Sequence, residues 1–224
     1  MIPWVHLDTA QVPGGGGELR LMQRGTEFSI MAGRIELMNS RLSGSEEALA
    51  TLTLARLAGR PAIKLLIGGL GMGFTLRAAL ANLPADASIV VSELVPEVVK
   101  WARGPLVPVF GGSADDRRAD IQVIDVARAI AAQPGQYDAI LLDVDNGPEG
   151  VSRPANDRLY TPAGLVAARQ ALKKGGILAV WSATPFDSFA KRLRGANFEV
   201  EEVRVKAHRG RSGARHVIWL ARKA

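Results

Sequence analysis

The chain of 224 residues contains no cysteine, which rules out disulfides, thiolate metal sites and a cysteine nucleophile. No apolar run approaches the roughly 20 residues that a membrane-spanning helix needs. The start, Met1-Ile2-Pro3-Trp4-Val5-His6, has no basic segment followed by an apolar core, so the expectation is a cytoplasmic protein without a membrane partner. Aromatic residues are scarce, at 5%, and few of them interleave with the basic side chains. That scarcity argues against a platform for stacking single-stranded nucleic acid. Two of the three histidines, His208 and His216, have no serine or carboxylate at a recognisable spacing, and both read as surface residues.

Charge is present in excess of one sign. Lys and Arg outnumber Asp and Glu by 28 to 22, and the surplus gathers between Lys191 and Lys223. A basic face can hold nucleic acid, but an arginine-rich solvated surface accounts for it, and nucleic acid is not expected as a partner. The length suits one α/β domain with a small appendage.

Residues 1–17, ending in Pro13 and the glycines 14–17, read as a flexible leader. Residues 18–44 form a small β unit, with short alternating segments around Gly25 and Gly33 that read as two or three hairpin strands. The main domain spans 45–224 and opens with a helix that Ser45 is expected to cap. Apolar strands at 62–67, 88–92, 120–124, 138–143 and 176–182 then alternate with helical stretches at 72–83, 95–103, 125–132, 162–173 and 186–195. Such alternation predicts a doubly wound, mostly parallel sheet covered on both faces. Residues 198–206 and 216–221, joined by the loop 207–215, complete seven strands as a hairpin, so one terminal strand is antiparallel.

The densest chemical signal is Lys64-Leu65-Leu66-Ile67-Gly68-Gly69-Leu70-Gly71-Met72-Gly73-Phe74. Gly69, Gly71 and Gly73 leave room where a strand turns into a helix, so that backbone and helix amides can approach a ligand. A dinucleotide fingerprint requires Gly-x-Gly-x-x-Gly, and every register here misses its third glycine. Twenty residues after Gly73 stands Glu93, an acid at a strand end that can hold both ribose hydroxyls. Asp125 and Asp143 also follow strand ends, so four loops converge on one crevice. Asp125 reads equally as a helix cap. Asp143-Val144-Asp145-Asn146-Gly147-Pro148 does not fit a calcium loop, which needs Asp or Asn fifth and Gly sixth, and no metal is expected.

These segments resemble the spermidine synthase, or polyamine aminopropyltransferase, family within the class I S-adenosylmethionine-dependent methyltransferase fold. The parallel runs through Ser45–Ala50, Ile67-Gly68-Gly69, Glu93, Val123-Ile124-Asp125, Tyr137–Asp143, and Leu159-Tyr160 through Ile177, roughly residues 26 to 206. The resemblance implies transfer of an aminopropyl group from decarboxylated S-adenosylmethionine to a small-molecule amine. It also implies roles for individual residues. Gly69, Gly71 and Gly73 approach the amino-acid or aminopropyl part of the cofactor, Glu93 binds ribose and Asp125 reads the adenine amino group. Asp143 borders both cofactor and amine and deprotonates the amine, with Asp145 and Tyr160 beside it. Tyr160 reads equally as a core residue, and Trp181 either walls the acceptor pocket or belongs to the core.

Three departures stand against this pattern. The family's acid in the glycine turn is missing between Gly68 and Phe74, the second acid of its diamine loop is Asn146, and the tyrosine expected near Ser45 is absent. Two alternatives therefore stay open: a methyltransferase using S-adenosylmethionine itself, and a non-catalytic relative that binds adenosyl ligands or nucleic acid. Homodimerisation is left open.

Overall fold

A computed structural model of the chain describes residues 2–144, 147–148, 154–207 and 215–224. Four antiparallel strands come first: β1 (Val5–Gln11), β2 (Glu18–Arg24), β3 (Glu27–Ala32) and β4 (Ile35–Asn39), paired in that order. The expected flexible leader is thus corrected over residues 5–11. They pair with β2 from Val5–Gln23 to Gln11–Glu18, and the glycine run is a tight connection closed by Val12 N–H donating to Gly17 O at 2.8 Å. Most of β1 is exposed, so hairpin pairing and one anchor hold it. Trp101 Nε1 donates to Asp8 Oδ2 at 2.7 Å across 93 positions of sequence.

Helix α1 (Gly44–Ala55) follows; the residue before it is Ser43, which makes no side-chain capping bond, and Ser45, the expected cap, lies inside the first turn. The strands and helices then alternate as β5 (Lys64–Gly68), α2 (Phe74–Asn82), β6 (Ser88–Glu93), α3 (Pro96–Ala102) with the short α4 (Val107–Phe110), β7 (Ala119–Val123), α5 (Val126–Ala131) and β8 (Tyr137–Leu142). Helix α6 (Pro162–Ala171), β9 (Leu172–Ser182), α7 (Asp187–Gly195), β10 (Phe198–Lys206) and β11 (Arg215–Lys223) complete the chain. The seven-stranded sheet runs β10-β11-β9-β8-β5-β6-β7, with β11 antiparallel to both its neighbours. This is the doubly wound α/β sheet expected from the alternation, with one antiparallel terminal strand.

Strand periodicity divides the core in two. Leu65, Ile67, Ala139 and Leu141 point to the layer shared with α2 and the N-terminal sheet. Their neighbours Leu66, Ile140 and Leu142 point to the layer under α5, α6 and α7. Both faces of β5 and β8 are therefore covered, which is why these strands read as continuous apolar runs rather than alternating ones. No helix among the described residues is long and apolar enough to cross a membrane.

Candidate active site

The order of strands sets the order of groups along the crevice at their carboxyl ends. Trp181 near the end of β9 is followed by Asp143 after β8, the glycine loop after β5, Glu93 at the end of β6, and Asp125 after β7. All of these line one cavity of about 190 Å³, several times the roughly 30 Å³ that a water molecule occupies in the liquid. The N-terminal sheet forms its opposite wall.

The glycine loop fits into this arrangement for two distinct reasons. Gly69 has φ +91°, and a Cβ there would lie 2.4 Å from Asp143 O. Its N–H donates to Ser92 O at 2.9 Å while Asp143 N–H donates to Gly68 O at 3.0 Å. The end of β5 is thereby clamped between its neighbours, and a side chain would pry the clamp open. Gly73 has φ +76° and precedes α2 as its cap, and a Cβ there would meet the Phe110 ring at 2.4 Å. Gly71 lines the cavity opposite Met38.

Glu93 is 8% exposed. Its Oε2 accepts from Leu70 N–H at 3.0 Å and its Oε1 from Val95 N–H at 2.9 Å. Burial raises its pKa above the ordinary glutamate value, against the backbone donors that favour its charged form. The backbone N–H groups of Leu94 and Gly71 also favour the charged form, so the carboxylate braces the glycine loop while it lines the cavity. Asp125 caps α5 by accepting from Ala127 N–H at 2.8 Å and pairs through Oδ2 with Arg158. The cap reading of Asp125 holds, and its carboxylate also lines the cavity. Because Arg158 is 56% exposed, an incoming amino group can share or displace it at small cost.

Asp143 Oδ2 accepts from Thr75 Oγ at 2.6 Å. Burial pushes its carboxyl up to about 7, the nearby Glu46 charge adds to the rise, and the Thr75 hydroxyl opposes it. Glu46 in the first turn of α1 lines the same cavity, and its pKa too is raised, first by burial. In the sequence, Glu46 stands within Ser45–Ala50 with no feature that marks it as a site residue. Only the packing of α1 beside α2 brings it to the crevice. Ser45 Oγ donates to Glu46 Oε2 at 2.6 Å and meets His216 Nδ1 at 2.9 Å. A serine has one proton to give, so His216 must donate to Ser45 through Nδ1–H. His216 is therefore not the surface residue expected: it is half-buried and lies edge-on to Trp181, with ring centroids 4.8 Å apart.

One expected site residue, Tyr160, does not join this constellation. Tyr160 is buried in the layer under α6 and α7, edge-on to Phe189 at 5.7 Å, and does not line the cavity. Its role as a core residue is the one that the structure supports. Asp145, together with Asn146, Glu149 and His208, lies outside the described residues. Trp181 does wall the cavity, and its buried Nε1 has no hydrogen-bond partner among the described residues.

Fold and crevice together define a class I methyltransferase-like α/β domain. In sequence the chain is 32% identical over 127 residues to a polyamine aminopropyltransferase of Mycobacterium tuberculosis, covering 55% of this chain and 23% of that protein. Against the polyamine aminopropyltransferase of Bacillus subtilis it is 30% identical over 122 residues, covering 54% of this chain and 41% of that protein. The chain thus spans less than half the length of these curated relatives. The crystal structure of spermidine synthase from Thermotoga maritima superposes with a TM-score of 0.76 at 19% identity, covering 98% of this chain and 73% of that one. Human methyltransferase-like protein 13 in complex with SAH gives a TM-score of 0.62 at 21% identity, covering 80% of this chain and 82% of that one. No family model matches the chain.

Proposed function

We propose that this chain transfers an aminopropyl group from decarboxylated S-adenosylmethionine to a small amine. The observation that carries the proposal is the order of groups along one crevice: an adenine-competent acid, a ribose-competent acid, a glycine-rich loop without an acid, and then the acid pair Asp143 and Glu46. A nucleoside sulfonium laid along it with adenine at Asp125 and ribose at Glu93 would bring its alkyl carbon beside Asp143. The resemblance to aminopropyltransferases, and the complexes of a similar spermidine synthase with AdoDATO and of human methyltransferase-like protein 13 with SAH, support the same placement.

Decarboxylated S-adenosylmethionine, when bound, supplies a sulfonium carbon at which the amine nitrogen forms a C–N bond while the C–S bond breaks and its electron pair leaves on sulfur, giving methylthioadenosine. The chain's own residues do the rest. Asp143 and Glu46 attract the acceptor as its ammonium. Asp143, whose carboxyl titrates near 7, takes one proton so that the nitrogen lone pair is free, and it gives that proton to solvent afterwards. Thr75 fixes the orientation of the Asp143 carboxylate through its 2.6 Å hydrogen bond. In-line displacement at such a carbon asks mainly for proximity and alignment, so this modest equipment suffices.

The methyltransferase reading retains one supporting observation, the glycine loop without an acid. Glu46 and Asp143 oppose it, since two carboxylates at the sulfonium end repel the carboxylate that distinguishes S-adenosylmethionine from its decarboxylated form. Incubating the protein with each sulfonium and a panel of amines, then separating the nucleoside products, tests the proposal. Methylthioadenosine formed in proportion to amine supports aminopropyl transfer. S-adenosylhomocysteine as the sole product would establish methyl transfer instead. Absence of both products, with adenosyl ligands bound, would make the chain a ligand-binding relative.

A further inference from the structure

Glu46 ends a hydrogen-bonded run that begins on β11. His216 Nδ1 lies 2.9 Å from Ser45 Oγ, which in turn donates to Glu46 Oε2 at 2.6 Å. Ser45 is fully buried, and Gly44 N–H pins the start of α1 to the end of β10 by donating to Ala207 O at 3.1 Å. The His216 ring is set edge-on against Trp181, and Trp181 and Glu46 both line the cavity. The run is thus fixed at one end and opens into the crevice at the other.

Asp143 is held differently. Thr75 Oγ donates to Asp143 Oδ2 at 2.6 Å and also lies 3.3 Å from Glu46 O. When Asp143 gains a proton, the Thr75 hydroxyl can accept it and turn its own hydrogen to that carbonyl, so neither form of Asp143 loses a partner. Ser45 has only His216 and Glu46 as side-chain partners among the described residues. To accept from a protonated Glu46, Ser45 would have to donate to Nδ1, and the ring would have to move its proton to Nε2. Protonation is simple at Asp143 and tied to a second rearrangement at Glu46.

We infer that His216 is a positioning residue for the transfer: acting through Ser45, it holds Glu46 as the fixed anion of the acid pair and leaves Asp143 to take and release the proton. This rests on the aminopropyl-transfer reading and gives its two acids different parts. The acceptor then meets a charge at Glu46 even while Asp143 is protonated. Two carboxylates in like surroundings would share one proton between them, whereas unlike surroundings divide the work. Burial lowers the pKa of His216, in keeping with a neutral ring that carries its proton on Nδ1. Around this run, Glu47 follows Glu46 on α1 and pairs with Arg77 of α2 at 3.3 Å, and Asp143 acts on Glu46 from the end of β8. His216 pairs across the sheet with Val205, so the alternation of side chains turns Arg204, Lys206 and Arg215 to the opposite face.

NMR of the carboxyl carbons and imidazole nitrogens of the labelled protein reads each part without turnover. The natural protein is expected to show His216 protonated on Nδ1 at pH 7, with Glu46 Cδ titrating at lower pH than Asp143 Cγ. His216→Phe keeps a ring against Trp181 but removes the donor, and should raise the Glu46 midpoint by about half a pH unit or more, the scale of one hydrogen bond. His216→Asn puts an amide N–H as many bonds from the backbone as Nδ1 and should bring the midpoint back. At a pH between the two midpoints, kcat/KM for the amine should fall about twofold in His216→Phe and recover in His216→Asn. An Nε2–H tautomer at pH 7, a Glu46 carboxyl that titrates with or above Asp143, or a Glu46 midpoint that His216→Phe leaves in place overturns the inference. Should His216→Phe not fold, the tautomer and the order of the two midpoints in the natural protein decide. A natural protein that forms no methylthioadenosine with any amine removes the aminopropyl-transfer reading and the inference with it, whereas the wrong titration order in a protein that turns over removes the inference alone.

Discussion

Single residues here are tuned by burial and by one or two named neighbours. Asp143 has an ordinary value of 3.8 and is pushed up to about 7 in the fold, so its protonated form is the one that folding favours. Stability from this group is complete below about pH 4 and is lost as pH rises through about 7. Asp143→Asn should therefore flatten the decline of melting temperature across that interval, as thermal denaturation at several pH values would show. For activity the sign is opposite, because the base must be unprotonated, so kcat/KM should rise with pH along a limb near 7. Thr75→Val removes a hydrogen bond that favours the carboxylate and should move that limb to higher pH. Glu46→Gln removes a repelling charge and should move it lower. A limb that both variants leave in place would remove Asp143 as the base. In the proposed site Glu93 carries two duties, and Glu93→Ala strips partners from Leu70 N–H and Val95 N–H as well as from the proposed adenosyl ligand. Adenosyl affinity and unfolding free energy should each fall by about 1–3 kcal/mol, measured by titration and by chemical denaturation. A loss of affinity alone would mean that the loop does not depend on this brace.

At the level of elements, the glycine loop is the joint on which the others hang. Gly73→Ala must accommodate a methyl against Phe110 in a left-handed backbone, and the expected destabilisation is about 1–3 kcal/mol from strain alone. Unchanged denaturation midpoints would show that α4 yields without cost. The parallel strands were legible because each is a short apolar run between turn residues, and Glu93 and Asp143 were legible because they close such runs. Residues 5–11 were hidden because only Ala10 of β1 is buried and because its anchor, Trp101, lies far away in sequence. Asp8→Leu should leave the Trp101 indole N–H unpaired and cost about 1–3 kcal/mol, with faster hydrogen exchange in residues 5–11 than elsewhere in the sheet. Glu46 and His216 were not legible for a related reason. The first turn of α1 and the start of the inner strand β11 meet at Ser45, and no local pattern announces that meeting. Tyr160 misled because the residue follows a site loop in sequence, whereas its ring turns into the layer beneath α6 and α7.

Taken whole, the molecule carries a formal charge of +6 yet lines its crevice with Glu46, Glu93, Asp125 and Asp143. A basic body with an acidic crevice favours a cationic ligand held inside over an anionic one, and the sulfonium and ammonium of the proposed reaction are both cations. In the proposed reaction the acid pair at the end of the crevice stands in for the acid that the glycine loop lacks, and the proposed choice of cofactor turns on it. Parallel calorimetric titrations with decarboxylated S-adenosylmethionine and with S-adenosylmethionine, on the natural protein and on Glu46→Gln, test this claim most directly. The account predicts that the decarboxylated form binds more tightly and that Glu46→Gln shrinks the difference. Tighter binding of S-adenosylmethionine, or a preference that Glu46→Gln leaves unchanged, would contradict it.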